Sequence, residues 1–568
     1  MSGQWAGLRA AALAGLTPAG RVWFHAVRWM VLLAVALVTT LVFPATGSFS
    51  IPSYVEGATA DRAVVAPVAV EFWERVGRIQ DADTRRPTVV PDSVRHAIHA
   101  GDLVVARGEV VTHEESLALQ ALGDRLDRET PTAAFLHEVV GPALLNVAIL
   151  AVFWLLLLFY RWETYSSLRQ MAFFGLLFGG AVSASAALAA FLPGRPEFLP
   201  AAFLGVLVTL LYNGRLGLFA AATFAILLGG QWALRDDQTL VFVLLGGTAA
   251  ALGTRAARRR REVYLTILTV IGAYALAAVS VGLLRGWPLA AMGWSLGRGA
   301  VSAVAGSALA MLLLPAAEAA TRITTDVTLL ELSDPGQPLL RRLAMEAPGT
   351  WAHSLAMANL CEPACEAIAA KGLLARVGCY YHDIGKVGQP GFFVENQRPG
   401  VNPHDEIKPE ESASIVRNHV LGGIRLAEEA GLPEPIKAFI PEHHGTMLIE
   451  YFFDRARRTG LEVNAEDFRY PGPRPRSAET AVVMLADATE AALRLLGDPT
   501  PERVRNAVEF LIKQKVDAGQ LRDCPLTLSD LDRVKEEFVR VISSTHHKRV
   551  EYPGEVGGVG GAMSRVKA

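Results

Sequence analysis

"CYYHDIGKVG", residues 379–388, sets an imidazole, a carboxylate and an ammonium within five positions at the end of an apolar run. On a helix His382 and Asp383 would point about 100° apart, so the two cannot share a face. A lone His-Asp pair carries no chemistry by itself. The surrounding chain decides whether this one does.

Working outward, the same polar residue types recur at helix ends. "PGTWAHSLAMANL" (348–360) starts a helix: Pro348-Gly349 break the chain, Thr350 can cap, and His353 sits in the first turn. "SIVRNHVLGG" (414–423) ends another with His419, and "IPEHHGT" (440–446) sets His443 and His444 before a glycine. "AVVMLADATEAALRLL" (481–496) is a strongly apolar helix with Asp487 on its interior. An ionised carboxylate there is costly unless it is paired or bound to metal. Five imidazoles and two aspartates exceed the needs of one tetrahedral zinc. They suit two divalent ions with nitrogen and oxygen donors, iron or manganese rather than calcium.

Adjacent residues can both be ligands if the carboxylate bridges a pair of ions. Such a centre lowers the pKa of a bound water and clamps a phosphoryl group. Asp383 would bridge, and Lys386 would supply a fixed cation beside the developing charge. The expectation is hydrolysis of a phosphate ester.

The whole chain has 568 residues, 51% of them apolar, and a net charge of −2. Its mean hydropathy is +0.29 and its pI about 6.7. Length predicts several units, and the charge argues against a nucleic-acid polymer as partner. Apolarity concentrates at 27–44 and 139–320. A spanning helix needs about 20 apolar residues, and eight candidates follow: 27–43, 139–160, 171–192, 198–212, 214–231, 238–254, 263–284 and 297–316. A cleaved signal peptide competes for the first, since "PATGS" follows it; the long basic leader with Arg9, Arg21 and Arg28 favours an uncleaved anchor.

Positive residues orient the spans. "RWETYSSLRQ" (161–170), "NGR" (213–215) and "RAARRRRE" (255–262) fall in the inside loops if the N-terminus is cytoplasmic, and the five arginines of 255–261 decide it. The expected domains are a cytoplasmic N-terminus 1–26, an anchor 27–47, an extracytoplasmic segment 48–138, seven spans in 139–320, a cytoplasmic domain 321–552 and a disordered glycine-rich tail 553–568. In the outer segment, 100–126 reads as strand, Gly turn, strand and helix, with Thr112 as N-cap. It holds no ligand cluster, so its ligand is unknown. Cys361, Cys365, Cys379 and Cys524 all lie in the C-terminal domain, which favours a reducing cytosol there.

With these motifs in view, the chain resembles the HD-domain metal-dependent phosphohydrolases. The match is to the membrane branch with an extracytoplasmic domain, seven transmembrane helices and a C-terminal HDIG domain, to which the PgpH-type cyclic-di-AMP phosphodiesterases belong. "HSLAMANLCEPACEAIAAKGLLARVGCYYHDIGK", "FFVENQ", "NPHD", "EHHGT", "FRYPGPRP" and "GDLVVARGEVVT" are similar to that branch's signatures. The resemblance implies one ion on His353, His382, Asp383 and Asp487. It implies a second on His419, His443 and His444, with Asp383 bridging.

Ala352 stands where many relatives carry a second histidine, at a non-ligand position, and the outer segment is short for the branch. The related Gly-Tyr-Pro branch is set aside because "EHHGTMLIEYFF" lacks its loop, and "RYPGP" (469–473) lies too far downstream.

The implied fold is a polytopic α-helical membrane protein of eight spans (one plus seven), with a small α/β extracytoplasmic domain and an all-α cytoplasmic HD domain. The implied function is a cytoplasmic-membrane enzyme hydrolysing cyclic-di-AMP to pApA with two divalent ions, Mn or Fe. Tyr381, Asn396, His404, Arg469 and Arg474 are candidates for substrate contacts, and Tyr380, Phe392 and Phe393 could stack on a purine. A second copy of the chain is a candidate partner. Two rival readings are a nucleotide-binding sensor without turnover and an HD phosphohydrolase acting on another nucleotide.

Overall fold

The computed structural model describes residues 17–43, 54–60, 63–66, 69–74, 94–106, 108–127, 136–231, 234, 237–254, 260–398, 400–458, 463–494 and 500–545. The leader with Arg9, residues 255–259 of the arginine cluster and the glycine-rich tail lie outside them. The chain divides into two compact units at Ile323/Thr324.

Among the described residues of the first unit, five helices are long and apolar enough to cross a membrane: Ala19–Val42, Gly141–Tyr160, Leu168–Phe191, Arg261–Leu284 and Leu289–Thr321. Three of the expected spans are shorter apolar helices, Ala201–Leu211, Gly214–Gly229 and Asp237–Gly253. Eleven residues rise only about 16 Å, about half the hydrocarbon core. Their shortness goes with close packing among small residues. A Cβ added at Gly205 would stand 2.5 Å from the Gly247 carbonyl oxygen, and one at Gly247 would stand 2.9 Å from the Ala221 Cβ. The break between the first two falls at Asn213, whose Oδ1 accepts from Leu216 N at 2.9 Å and so caps the second helix.

The first helix begins at Pro18, well before the apolar run, because Thr17 caps it and proline suits its first turn. It packs against Gly141–Tyr160 and Leu168–Phe191. Near its start, Arg28 is buried and donates through Nε to Tyr165 O at 2.6 Å, and to the carbonyls of Phe24 and Ser166. Near its end, Thr40 Oγ1 accepts from Asn146 Nδ2 at 3.0 Å, and Asn146 Oδ1 accepts from Gln231 Nε2 at 2.8 Å. Elsewhere in the bundle the buried Glu197 accepts from Arg298 at 2.9 Å and from Ser295.

Between the first two spans, Val64–Val65 pairs antiparallel with Leu103–Val105, and Val70–Glu74 with Val94–Ile98. The second expected strand is only a bridge, Thr59 to Val110, so 103–105 turns to an earlier partner instead of forming a hairpin with 109–112. Thr112 does cap the helix His113–Asp127. Its hydroxyl accepts from Glu115 N at 3.3 Å while Glu115 Oε2 accepts from Thr112 N at 2.8 Å.

The regular elements described in the second unit are all helical. Pro348–Ala367 runs centrally, packed by Gly372–Tyr381, Ala478–Leu493 and Leu528–Thr545 over a core that includes Met357, Cys361, Phe439 and Phe538. All four cysteines are free thiols.

Candidate metal centre

The opening puzzle of adjacent His382 and Asp383 is answered by a change of helix type. Gly372–Tyr381 ends at His382, Asp383 takes φ −112° and ψ 16°, and a 3₁₀ turn follows over Ile384–Gly388. The break turns both side chains inward, and both are buried. Gly385 makes the turn possible, since a Cβ there would fall 1.8 Å from His419 O. The motif glycine thus lets the 382–386 turn lie directly on the helix that carries His419.

His353 comes from Pro348–Ala367. Thr350 does not cap this helix; the cap comes from a distant loop. Asn396 Oδ1 accepts from Gly349 N at 2.8 Å and Thr350 N at 3.2 Å, while its Nδ2 donates to Thr350 Oγ1 at 2.8 Å. His419 projects from Pro409–Glu429, and His443 ends the short helix Phe439–Glu442. Gly445, at φ +55°, turns the chain after the paired histidines. Asp487 rides on Ala478–Leu493, which opens with a Ser477/Thr480 capping box.

The side chains converge. Asp383 Oδ2 lies 3.2 Å from His382 Nε2 and 4.0 Å from His353 Nε2. Its other oxygen, Oδ1, lies 3.4 Å from His419 Nε2 and 3.6 Å from His443 Nε2. One carboxylate therefore faces two groups of imidazoles, one oxygen to each. Asp487 approaches from the other side, 3.2 Å from His353 Nε2 and 3.6 Å from His444 Nδ1. Three overlapping sets have donor atoms within 4.8 Å of one another: His353, His382 and Asp487; His382, Asp383 and His443; and His419, His443 and His444.

The donor chemistry fits metal. His382 Nδ1 lies 2.7 Å from Cys379 O and His443 Nδ1 2.8 Å from Ile440 O, while His419 Nδ1 bonds Val416 O. A carbonyl only accepts, so each Nδ1 carries the proton and each Nε2 keeps a lone pair. Those three Nε2 atoms and Asp383 Oδ1 are buried without a hydrogen bond among the described residues. Buried polar atoms left bare are expensive, and a divalent ion is what this set would satisfy.

Burial holds His419 down to about 4 and His443 down to about 3, so both are neutral at neutral pH, as a ligand must be. Burial opposes the charge on His353 too, but hydrogen bonds to Asp487 and Glu490 outweigh it and raise this group to about 10. Asp383 is pulled well below the carboxylate range against its burial, by His382 and Lys386. The side chains of His444 and Asp487, each 20% exposed, and Lys386, 12% exposed, mark the open side of the cluster.

Lys386 is less free than its place in the motif implies. Its Nζ lies 2.6 Å from Asp383 Oδ2 and 2.9 Å from Glu395 Oε1. Glu395, unforeseen from the sequence, also accepts from Thr350 Oγ1 at 2.9 Å. A second carboxylate on the 478–493 helix, Glu490, was also missed; it lies 2.9 Å from His353 Nδ1. Tyr470 was missed too. Its ring stacks on His444 with centroids 4.0 Å apart, so the "RYPGP" loop does sit beside the paired histidines despite its distance along the chain.

Of the substrate-contact candidates, several have structural duties instead. Tyr381 is buried in the core with its hydroxyl donating to Leu332 O at 2.9 Å. Asn396 spends both amide atoms on the cap. His404 is buried, bonded through Nε2 to Phe392 O at 2.9 Å and packed against the Phe392 and Phe452 rings. Arg469 holds Glu466 at 3.0 Å and Thr446 O at 3.2 Å. Arg474 follows the stacking loop, its Cα 3.6 Å from where a Cβ added at Gly445 would stand. Among the purine-stacking candidates, Tyr380 packs against Trp351 and Phe393 against His419.

Comparison with known proteins adds the family. Residues 136–325 match the model described as "7TM receptor with intracellular HD hydrolase", and residues 350–492 match "HD domain". The two segments belong to those families. HD domains are metal-dependent, in keeping with the donor set above.

The chain is 36% identical over 364 residues to the cyclic-di-AMP phosphodiesterase PgpH of Bacillus subtilis, covering 62% of this chain and 51% of that protein. It is 29% identical over 523 residues to PgpH of Listeria monocytogenes, covering 89% of this chain and 70% of that protein. This chain thus spans about half the length of the first relative. The crystal structure of the L. monocytogenes PgpH HD domain in complex with cyclic-di-AMP is 38% identical, with a TM-score of 0.37, covering 38% of this chain and all of that one.

Proposed function

We propose that the chain is a membrane-bound, metal-dependent phosphodiesterase that hydrolyses cyclic-di-AMP to pApA. The observation that carries the enzymatic reading is the set of buried, bare Nε2 atoms of His382, His419 and His443, whose Nδ1 atoms are locked to carbonyls, beside the equally bare Asp383 Oδ1. His353, His382 and Asp487 would hold one ion, His419, His443 and His444 the other, with Asp383 between them. Manganese or iron suits these nitrogen and oxygen donors. When bound, two such ions would activate a water and clamp the phosphate oxygens of an in-line displacement.

The chain's own residues then have separate roles. Asp383 offers one oxygen to each group of imidazoles. Lys386 keeps that carboxylate ionised and stands at the open side, where a phosphate would arrive. Tyr470 fixes the His444 ring by stacking. Arg474, in the loop beside Gly445, is the remaining candidate for a phosphate contact. The choice of cyclic-di-AMP is supported by the named activity of the PgpH relatives.

The test is hydrolysis by the purified full-length protein in detergent, stripped with EDTA and reloaded with Mn²⁺, against cyclic-di-AMP, cyclic-di-GMP and linear pApA. Metal-dependent conversion of cyclic-di-AMP to pApA is expected. Tight binding without turnover would mean a sensor, and preference for another nucleotide would move the chain to a different HD activity.

Eight spans with both termini cytoplasmic complete the proposal. The basic loops support it, and so do the helix ends that meet: Arg28 with Tyr165 and Ser166 would lie at the inner face, Thr40 with Asn146 and Gln231 at the outer. Reporter fusions at residue 100 and after residue 552 should report opposite compartments. The same compartment for both would end the receptor-enzyme reading.

A further inference from the structure

We propose that Glu490 is a positioning residue for the metal centre: through His353 it fixes how one ion is held, and Arg494 in turn fixes Glu490. This rests on the metal-hydrolase reading above. His382, His419 and His443 orient their rings with Nδ1–H bonds to main-chain carbonyls. His353 is the exception among these four. Its Nδ1 lies 2.9 Å from Glu490 Oε2, a carboxylate that is itself bound through Oε1 to Arg494 at 2.8 Å.

The geometry follows from helix periodicity. Asp487, Glu490 and Arg494 lie at i, i+3 and i+7 on Ala478–Leu493 and the residue after it, on one stripe. His353 sits between the two carboxylates, its Nε2 3.2 Å from Asp487 Oδ1 and its Nδ1 on Glu490. Without an ion, carboxylates at both ring nitrogens favour protonation of His353. When an ion binds, the Nε2 proton must leave, and a negative acceptor on Nδ1–H holds the remaining proton there so that Nε2 faces the metal. That acceptor also makes the imidazole a stronger donor than a neutral carbonyl would. The Arg494 guanidinium restrains the carboxylate, whose side chain is 19% exposed and would otherwise have other rotamers open to it. The Arg494–Glu490–His353 chain therefore reaches the metal position from the protein surface.

The experiment is Mn²⁺ titration of EDTA-stripped, full-length protein in detergent, by equilibrium dialysis, for wild type, Glu490→Ala, Glu490→Gln and Arg494→Ala. Turnover of cyclic-di-AMP is measured at low and saturating Mn²⁺, and thermal unfolding in EDTA. Losing such an orienting partner typically weakens metal affinity by roughly 10- to 100-fold, and Glu490→Ala should fall in that range. Glu490→Gln keeps an acceptor and loses the charge, so its loss should be smaller. Arg494→Ala should be weaker still in effect. Turnover of these variants should recover as Mn²⁺ saturates, with unfolding in EDTA unchanged.

Wild-type Mn²⁺ affinity in both Glu490 variants would overturn the proposal. So would a loss of affinity that merely tracks a loss of fold in EDTA. If Glu490→Ala fails to fold, Glu490→Gln decides by the same measure. A wild-type protein that binds no Mn²⁺ would instead overturn the underlying metal-hydrolase reading.

Discussion

Asp383→Ala should empty the centre of metal and bring hydrolysis to background. Its two oxygens face the two imidazole groups from the buried side of the cluster, Oδ2 3.2 Å from His382 and Oδ1 3.4 Å from His419. Groups acting as one unit are lost together, so a fall of at least about 10⁴-fold in turnover is expected. Metal analysis after desalting should find neither ion at its wild-type occupancy. A variant that keeps both metals and near-normal rates would refute the bridging role.

Lys386→Met should lower both stability and rate. The ammonium compensates two carboxylates that are themselves nearly inaccessible, Asp383 at 1% and Glu395 at 9% exposure. Burial opposes the charge of Lys386, but Asp383 and Glu395 outweigh it and hold the amine firmly protonated. Removing one partner of a buried pair typically costs about 3–5 kcal/mol, because the other charge is left uncompensated. For a unit of this size that corresponds to a fall of ~10 °C in the unfolding midpoint, read in EDTA so that metal cannot substitute. At saturating Mn²⁺ metal content should be normal, while kcat drops on the order of 10²-fold, as for loss of one charge-stabilising donor. An unchanged midpoint together with an unchanged kcat would make Lys386 a bystander.

The parts of the site that were legible share one property: they are polar residues where an apolar surface was due. Asp487 inside "VVMLADA" and His353 in a helix bearing Met357 and Leu360 announce themselves because burying them bare would be costly. Glu490 and Glu395 carry no such signal. One lies near the end of a helix, where the apolar run is already giving way to polar residues, and the other in a loop, places where a carboxylate is ordinary. Tyr470 was hidden by distance along the chain, since it is the pairing of 447–449 with 468–470, the Leu448–Arg469 bridge and its flanking backbone bonds, that folds its loop back to His444.

Tyr381 was misread for the opposite reason. An aromatic ring beside a motif suits a core as well as a ligand, and the carbonyl of Leu332, which receives its hydroxyl, cannot be foreseen from spacing.

In the membrane unit, hydropathy located every apolar helix but not its length. The contacts of Gly205 and Gly247 that accompany short helices are three-dimensional facts. The start of the first helix depended on a Thr17 cap in front of a mixed, partly basic turn, which periodicity does not register.

The hydrogen bond between Thr40 and Asn146 bears on how the segment between the first two apolar helices can vary. It joins the helix that leads into that segment to the helix that leads out, so the segment is an insert whose two ends are pinned side by side. For a flexible insert closed in this way, each doubling of length adds only about 0.6 kcal/mol of closure entropy. The bundle is therefore nearly indifferent to the size of what it carries there. The segment between the first two apolar helices can be lengthened, shortened or exchanged for an unrelated domain, and any replacement with adjacent termini is a fitting graft.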